Sequence, residues 1–301
     1  MNDVSTRTER SGTATADDGV KLAWRCIGSG PAIVCNNGVG VSTFFWHYTR
    51  SQFSGRYTVL TWDYRGHGAS DAVPDPVAGD VGIEQHARDL IAVLDDAGVE
   101  NALFCGHSMG CQVALEAYRH APTRFIGMVL ILGTAGRALE TFMGNPSSPR
   151  YFRLAGRIIA RLGERTHHVV RPLLRSPVAW MFAQRTKLVD PLYASHDDMG
   201  PYLEHLATLD MRMFIRTVLC MQDHDAWEVL PRVHVPVLIV GAERDAFTPI
   251  SLSEKMAHEI PGAELFVLAD ASHAAIIEQP ENINHRIERF IKQRHVFSSA
   301  Q

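Results

Sequence analysis

The pentapeptide Gly106-His107-Ser108-Met109-Gly110 stands between the apolar run Ala102–Cys105 and a helical pattern, and no other feature constrains this chain as much. A serine there sits on a sharp turn from a strand into a helix. A side chain on Gly106 or Gly110 would clash with its neighbours in so tight a turn. The turn pushes the Ser108 hydroxyl out at the carboxyl end of the strand, and the helix amides beneath it favour developing negative charge. Taken alone, the pentapeptide also fits a plain turn in which Ser108 caps a helix. The strand before it and the helix after it favour a nucleophile.

The rest of the chain supplies the sheet this turn needs. Asp18-Gly19 between Thr13–Ala16 and Lys21–Arg25 predicts a hairpin, and residues 1–12 ahead of it read as a loose tail. Short apolar runs at Pro31–Cys35, Tyr57–Trp62, Ala102–Cys105 and Gly127–Leu132 read as buried strands, with a helix over Ile83–Ala97 among them. Strands alternating with helices predict an α/β fold with a mostly parallel sheet. The alternation stops near Arg137 and resumes with Val235–Val240, a helix near Ser251–Ile260, Leu265–Leu268 and a helix near Asn282–Lys292. Residues 137–230 read as helices only, broken at Pro146, Pro149, Pro172, Pro177, Pro191 and Pro201. The second flank has too few strands to stand alone. Residues 1–136 and 231–301 are therefore expected to form one core domain, and 137–230 an inserted helical cap.

Composition excludes several functions. The chain has 301 residues, 29 basic and 33 acidic, for a net charge of −4, so no nucleic-acid partner is expected. Its five cysteines, Cys26, Cys35, Cys105, Cys111 and Cys220, are odd in number and form no Cys-x-x-Cys pair. That argues against a disulfide scaffold or zinc ribbon and for reduced thiols in a cytosolic setting. Met1–Gly12 is polar, and the apolar stretch Phe125–Gly136 is too short to span a bilayer. A cytoplasmic protein without stable membrane insertion is the expectation. Oligomeric state is not legible.

A serine hydroxyl needs a base, and the base an orienting acid. In serine sites of this strand–turn–helix type they follow in the order serine, acid, histidine. After Val235–Val240 comes Gly241-Ala242-Glu243-Arg244-Asp245, and after Leu265–Leu268 comes Asp270-Ala271-Ser272-His273. Both lie past strand carboxyl ends, where open α/β sheets hold their sites. His273 is the expected base and Asp245 the expected acid, with Glu243 and Asp270 as competing carboxylates. His107 is expected to point away from the nucleophile, and His67 to be structural. Two amides should receive the oxyanion: that of Met109, after the nucleophile, and that of Val39 in the loop Asn36-Asn37-Gly38-Val39-Gly40.

These residues, with Asp63-Tyr64-Arg65-Gly66-His67-Gly68-Ala69-Ser70, resemble the α/β-hydrolase family, in its capped, serine-nucleophile, esterase- or lipase-like branch. The resemblance covers about residues 15–136 and 231–292. Members commonly have His-Gly where this chain has Asn37-Gly38. Relatives that open epoxides or displace halides carry aspartate at the nucleophile position, so Ser108 implies acyl transfer to water. The resemblance implies no cofactor, and no metal spacing is seen around His167-His168 or Asp223-His224-Asp225.

The cap holds Met143, Met181, Met199, Met211, Met213 and Met221 with Trp180, Phe182, Phe214 and Leu219. Methionine fills irregular apolar space, so an adaptable acyl pocket is one reading and ordinary helix packing the other. Arg150, Arg153, Arg157, Arg161 and Arg165 recur at helical spacing. They suit an anionic substrate or lipid surface, or a solvated face balanced by Asp197, Asp198, Glu204 and Asp210. The expected activity is hydrolysis of small-molecule carboxylic esters with a fairly apolar acyl part, through an acyl-serine. The alternatives are carbon–carbon hydrolysis of ring-cleavage products, a cofactor-free perhydrolase or haloperoxidase-like activity, and non-catalytic ligand binding.

Overall fold

The structure is a computed structural model that describes residues 8–185 and 196–297. The described residues form one eight-stranded sheet in the order β1-β2-β4-β3-β5-β6-β7-β8. β1 (Glu9–Thr15) and β2 (Lys21–Ile27) make the antiparallel hairpin across Asp18-Gly19. Antiparallel pairing continues onto β4 (Thr58–Trp62). All other pairs, through β3 (Ala32–Asn36), β5 (Ala102–His107), β6 (Phe125–Ile131), β7 (Val237–Ala242) and β8 (Glu264–Leu268), are parallel. The expected loose tail is partly wrong. Glu9–Gly12 belong to β1, held by a ladder to Trp24–Ile27, while Met1–Arg7 lie outside the described residues.

Strand periodicity builds the two layers of core. Val34, Phe104, Leu130 and Ile239 face one side, towards α2 (Ile83–Ala97), α3 (Met109–His120) and α9 (Ile250–Glu259). Their neighbours Cys35, Cys105, Val129 and Val240 face the other, towards α1 (His47–Phe53), α10 (Ala275–Glu278) and α11 (Pro280–Gln293). Both faces are covered, so these strands are apolar throughout instead of alternating. Ile283, Ile287, Phe290 and Ile291 supply the buried stripe of α11.

Between β6 and β7 the described chain is helical: α4 (Ser148–Leu162), α5 (Arg165–Leu174), α6 (Pro177–Arg185), α7 (His196–Thr208) and α8 (Met211–Asp223). Not every proline breaks a helix as expected. Pro149 starts α4 and Pro177 starts α6, where a missing amide costs nothing, but Pro172 and Pro201 lie inside α5 and α7. Pro191 lies outside the described residues. A small apolar cluster of Leu206, Leu209, Met211 and Met213 with Val73 and Val81 joins this helical layer to the core. Among the described residues no helix is long and apolar enough to cross a membrane.

The strand order reverses between β3 and β5. Loops leaving these two strands diverge and open a crevice at their carboxyl ends. The Asn36–Gly40 loop leaves β3 at this point, and Ser108 leaves β5.

Candidate active site

Ser108 adopts φ 54° and ψ −117°, a strained conformation for a residue with a side chain. The neighbouring glycines permit it. A Cβ on Gly106 would lie 2.5 Å from the Gly110 carbonyl oxygen, and one on Gly110 would lie 2.3 Å from that of Asn36. β5, the start of α3 and the end of β3 therefore meet at backbone contact, with Ser108 on top.

Two other loops bring their residues to this serine. The Ser108 hydroxyl donates to His273 Nε2 at 2.9 Å, and His273 Nδ1–H donates to Asp245 Oδ2 at 2.8 Å. Asp245 is buried and its carboxylate is further fixed by local donors. The Phe247 and Thr248 amides reach Oδ1 at 2.7 and 2.9 Å, and the Thr248 hydroxyl reaches Oδ2 at 2.8 Å. The sequence reading did not single out Phe247 and Thr248. Aspartate two and three residues ahead of free amides is a turn signal that could have found them. The competing carboxylates point elsewhere. Glu243 is exposed, and Asp270 pairs with Arg244. Glu278 holds the His273 loop, accepting from the Ser272 amide at 2.8 Å and from its hydroxyl at 2.5 Å.

His107 does not point away as the sequence suggested. Its Nε2–H donates to the His273 carbonyl at 3.1 Å, and its ring lies 5.2 Å from the His273 ring. Burial, with the nearby His273 charge, holds its pKa down to about 3. The ring is thus neutral, and its Nδ1 has no partner among the described residues. The misreading arose because a turn motif fixes backbone direction but not what the neighbouring loop presents.

The β3 loop closes over the serine. A Cβ on Gly38 would lie 3.3 Å from Ser108 Cβ and 3.0 Å from His107 Nδ1, so a side chain there would crowd both residues. Asn37, in the place of the more usual histidine, ties the loop to the sheet. Its amide nitrogen donates to the Trp62 carbonyl at 2.7 Å, and Trp46 Nε1 donates to its Oδ1 at 2.9 Å. Val39 and Met109 both line the cavity above Ser108. Met109 is the first residue of α3, so its amide has no carbonyl within the helix. Asp63 anchors the loop from below, accepting from Ser42 Oγ at 2.5 Å and from the Ala69 amide at 3.0 Å.

The cavity measures about 580 Å³ and has walls from both the sheet end and the helical layer. Phe142, Phe152, Trp180, Phe214 and Phe247 line it, and among the described residues none that lines it is Lys, Arg, Asp or Glu. The methionine expectation holds only in part. Met199 and Met221 line the cavity, Met211 and Met213 pack in the small cluster beneath the helices, and Met143 and Met181 are exposed. Phe214 lines it but Leu219 does not. The Phe182 side chain lies outside the described residues. Among the described residues no group of three or more His, Cys, Asp or Glu could hold a metal ion. His224 instead bonds Glu116 at 2.9 Å and Gln112 at 3.1 Å.

An imidazole between a hydroxyl and a buried carboxylate can take a proton from the hydroxyl as it attacks a carbonyl. The chemistry available here is acyl transfer to a serine inside an apolar chamber.

The family model described as the alpha/beta hydrolase family matches residues 33–286. The chain is 28% identical over 283 residues to 3-oxoadipate enol-lactonase 2 of Acinetobacter baylyi, covering 93% of this chain and 96% of that one. It is 26% identical over 261 residues to a Pseudomonas syringae pv. syringae protein named "Putative carbamate hydrolase RutD", covering 87% and 93%. Among solved structures, a thermophilic esterase from Thermogutta terrifontis superposes with a TM-score of 0.74 at 22% identity, over 95% of this chain and 99% of that one. At that identity the likeness speaks for the fold.

Proposed function

This chain belongs to the alpha/beta hydrolase family, and from that premise we propose that it is a serine hydrolase of carboxylic esters with a fairly apolar acyl part. The observation that carries the reading is the bonded series Ser108–His273–Asp245 at the floor of a cavity whose described lining is mostly apolar. The enol-lactonase likeness supports hydrolysis of ester-type bonds generally.

In this reading Ser108 Oγ attacks the carbonyl carbon while His273 Nε2 takes its proton. Asp245 holds the imidazole with Nε2 facing the serine and balances the charge it gains. The tetrahedral oxyanion lies against the amides of Met109 and Val39. The leaving alcohol takes the proton from His273, which leaves an acyl-Ser108 ester. Water, deprotonated by His273, then releases the acid. Residues 1–136 and 231–301 act as the core domain that carries this machinery, and 137–230 as the cap that closes the acyl chamber. Carbon–carbon hydrolysis of a carboxylate-bearing ring-cleavage product fits less well, because among the described residues no Lys or Arg lines the cavity to receive the carboxylate.

The test is labelling by a fluorophosphonate probe, followed by a panel of p-nitrophenyl esters and a ring-cleavage dienoate. The reading expects Ser108 to be the labelled residue and the esters to be turned over. Absence of a label on Ser108, or turnover of the dienoate alone, overturns it.

A further inference from the structure

α4 carries two apolar faces, and only one is used in the fold. Phe152 on the inner face lines the cavity, and Gly156 on that face lies beside Ile215 and Leu219 of the helical layer. The outer face presents Tyr151, Leu154, Ile158 and Leu162, which are 61%, 54%, 48% and 48% exposed. Among the described residues eleven large apolar side chains are exposed, and nine of them lie between Met143 and Met181. Exposed apolar side chains gathered on one patch mark a surface that meets something.

Charge on this patch identifies the partner. Residues 150–175 hold seven arginines and a single acid, Glu164, or +6 in a chain whose total is −4. Two of the four acids expected to balance α4 serve residues outside it: Glu204 bonds Arg175, and Asp210 bonds Arg212. The side chains of Asp197 and Asp198 lie outside the described residues. On α4 Arg153 pairs with Asp223. Arg150, Arg157 and Arg161 are exposed with no ion-pair partner among the described residues, as is Arg165 at the start of α5. At helical spacing Arg150, Arg157 and Arg161 form one exposed stripe and Tyr151, Leu154, Ile158 and Leu162 an adjoining one, so guanidinium groups border the apolar side chains. A flat anionic lipid surface satisfies both at once: headgroups take the arginines, and the apolar stripe enters the acyl boundary. The patch is also continuous with the chamber, because Leu173 and Val178 line the cavity while remaining about half exposed.

We propose that the outer face of α4, continued by α5 and α6, docks the protein peripherally on an anionic lipid surface, with the mouth of the acyl chamber towards the lipid. The proposal goes beyond ester hydrolysis and does not depend on it, because docking is a property of the outer face.

The experiment is co-sedimentation of the full chain with vesicles of phosphatidylglycerol and, separately, of phosphatidylcholine. The protein is expected to sediment with phosphatidylglycerol alone and to be released by salt. Arg157→Glu with Arg161→Glu should lower vesicle partitioning about tenfold or more. Leu154→Ser with Ile158→Ser should lower it independently, since half the contact is apolar. Neither pair touches Ser108, His273 or Asp245, so hydrolysis of a soluble acetate ester should stay unchanged and report intact folding. Ser108→Ala should sediment like the parent chain, which separates docking from turnover. Failure of the parent chain to bind phosphatidylglycerol overturns the proposal, as does undiminished binding by either variant pair. A dimer that Leu154→Ser with Ile158→Ser dissociates, without any vesicle affinity, also overturns it and assigns the face to a second copy.

Discussion

The ring of Phe247 lies face to face with the imidazole of His273, centroids 4.7 Å apart and planes 24° from parallel. On its far side Phe247 meets Phe142, edge-on at 4.6 Å, and Phe142 meets Phe152 of α4 at 5.3 Å. A line of aromatic rings thus runs from the helical layer to the histidine. An aromatic face attracts a cation above it by about 0.5 to 2 kcal/mol, and in the proposed reaction the His273 ring gains a proton as Ser108 attacks. Phe247→Leu should therefore lower kcat by roughly two- to thirtyfold with little change in KM. Steady-state kinetics on one ester checks this, and a loss confined to KM would show the ring to be pocket wall alone.

Ser108→Ala should lower kcat on an activated ester by roughly four or more orders of magnitude while the circular dichroism spectrum is kept. The serine is the one nucleophile at the cavity floor that is bonded to an imidazole. Retention of a tenth of the parent rate would remove Ser108 from the mechanism.

Asp245→Asn should cost roughly a thousandfold to ten-thousandfold in kcat, because an amide cannot hold His273 in the required tautomer. Glu243→Gln and Asp270→Asn should be nearly silent, since Glu243 is exposed and Asp270 faces Arg244. Comparing the three rates decides among the carboxylates.

Acid should destabilise the fold through its buried imidazoles. Burial holds the pKa of His67 down to about 4 and that of His107 to about 3. An unfolded histidine titrates near about 6.5, so between that pH and the folded values the unfolded chain binds more protons. Stability is then complete above about pH 6.5 and falls as pH drops towards 4. The slope is at most about 1.4 kcal/mol per pH unit for each imidazole. Denaturant midpoints at several pH values check the trend. His67→Phe should flatten the slope by one imidazole, and an unchanged slope would remove His67 as a contributor.

Chain length should probe the chamber. Each methylene buried contributes up to about 0.8 kcal/mol, or about fourfold in kcat/KM. A p-nitrophenyl series from acetate to octanoate should rise and then fall as the cavity of about 580 Å³ fills. A steady decline from acetate would mean that the helices close the site against long chains.

Local sequence was enough for whatever depends on neighbours in the chain. Gly106, Ser108 and Gly110 specify the elbow because their backbone angles and contacts arise within a few residues. Apolar runs marked the strands of β3 to β8 to within a residue or two, and in β3 to β7 burial on both faces demands that continuous hydrophobicity. Asp18-Gly19 likewise announced its hairpin. The sequence could not decide how side chains meet across long separations. Ser108 and His273 are 165 residues apart, and their 2.9 Å contact exists because β5 and β8 run parallel and their loops leave from the same, carboxyl end of the sheet. Three carboxylates had the right spacing to serve His273, and loop direction alone separates Asp245 from Glu243 and Asp270. The same limit hid the turn of His107 towards the His273 carbonyl and the division of the cap methionines among cavity, cluster and surface. Periodicity tells a helix which residues share a face, but only the packed neighbours decide whether that face meets the core, the chamber or water. In α4 they leave an apolar, arginine-lined face outward.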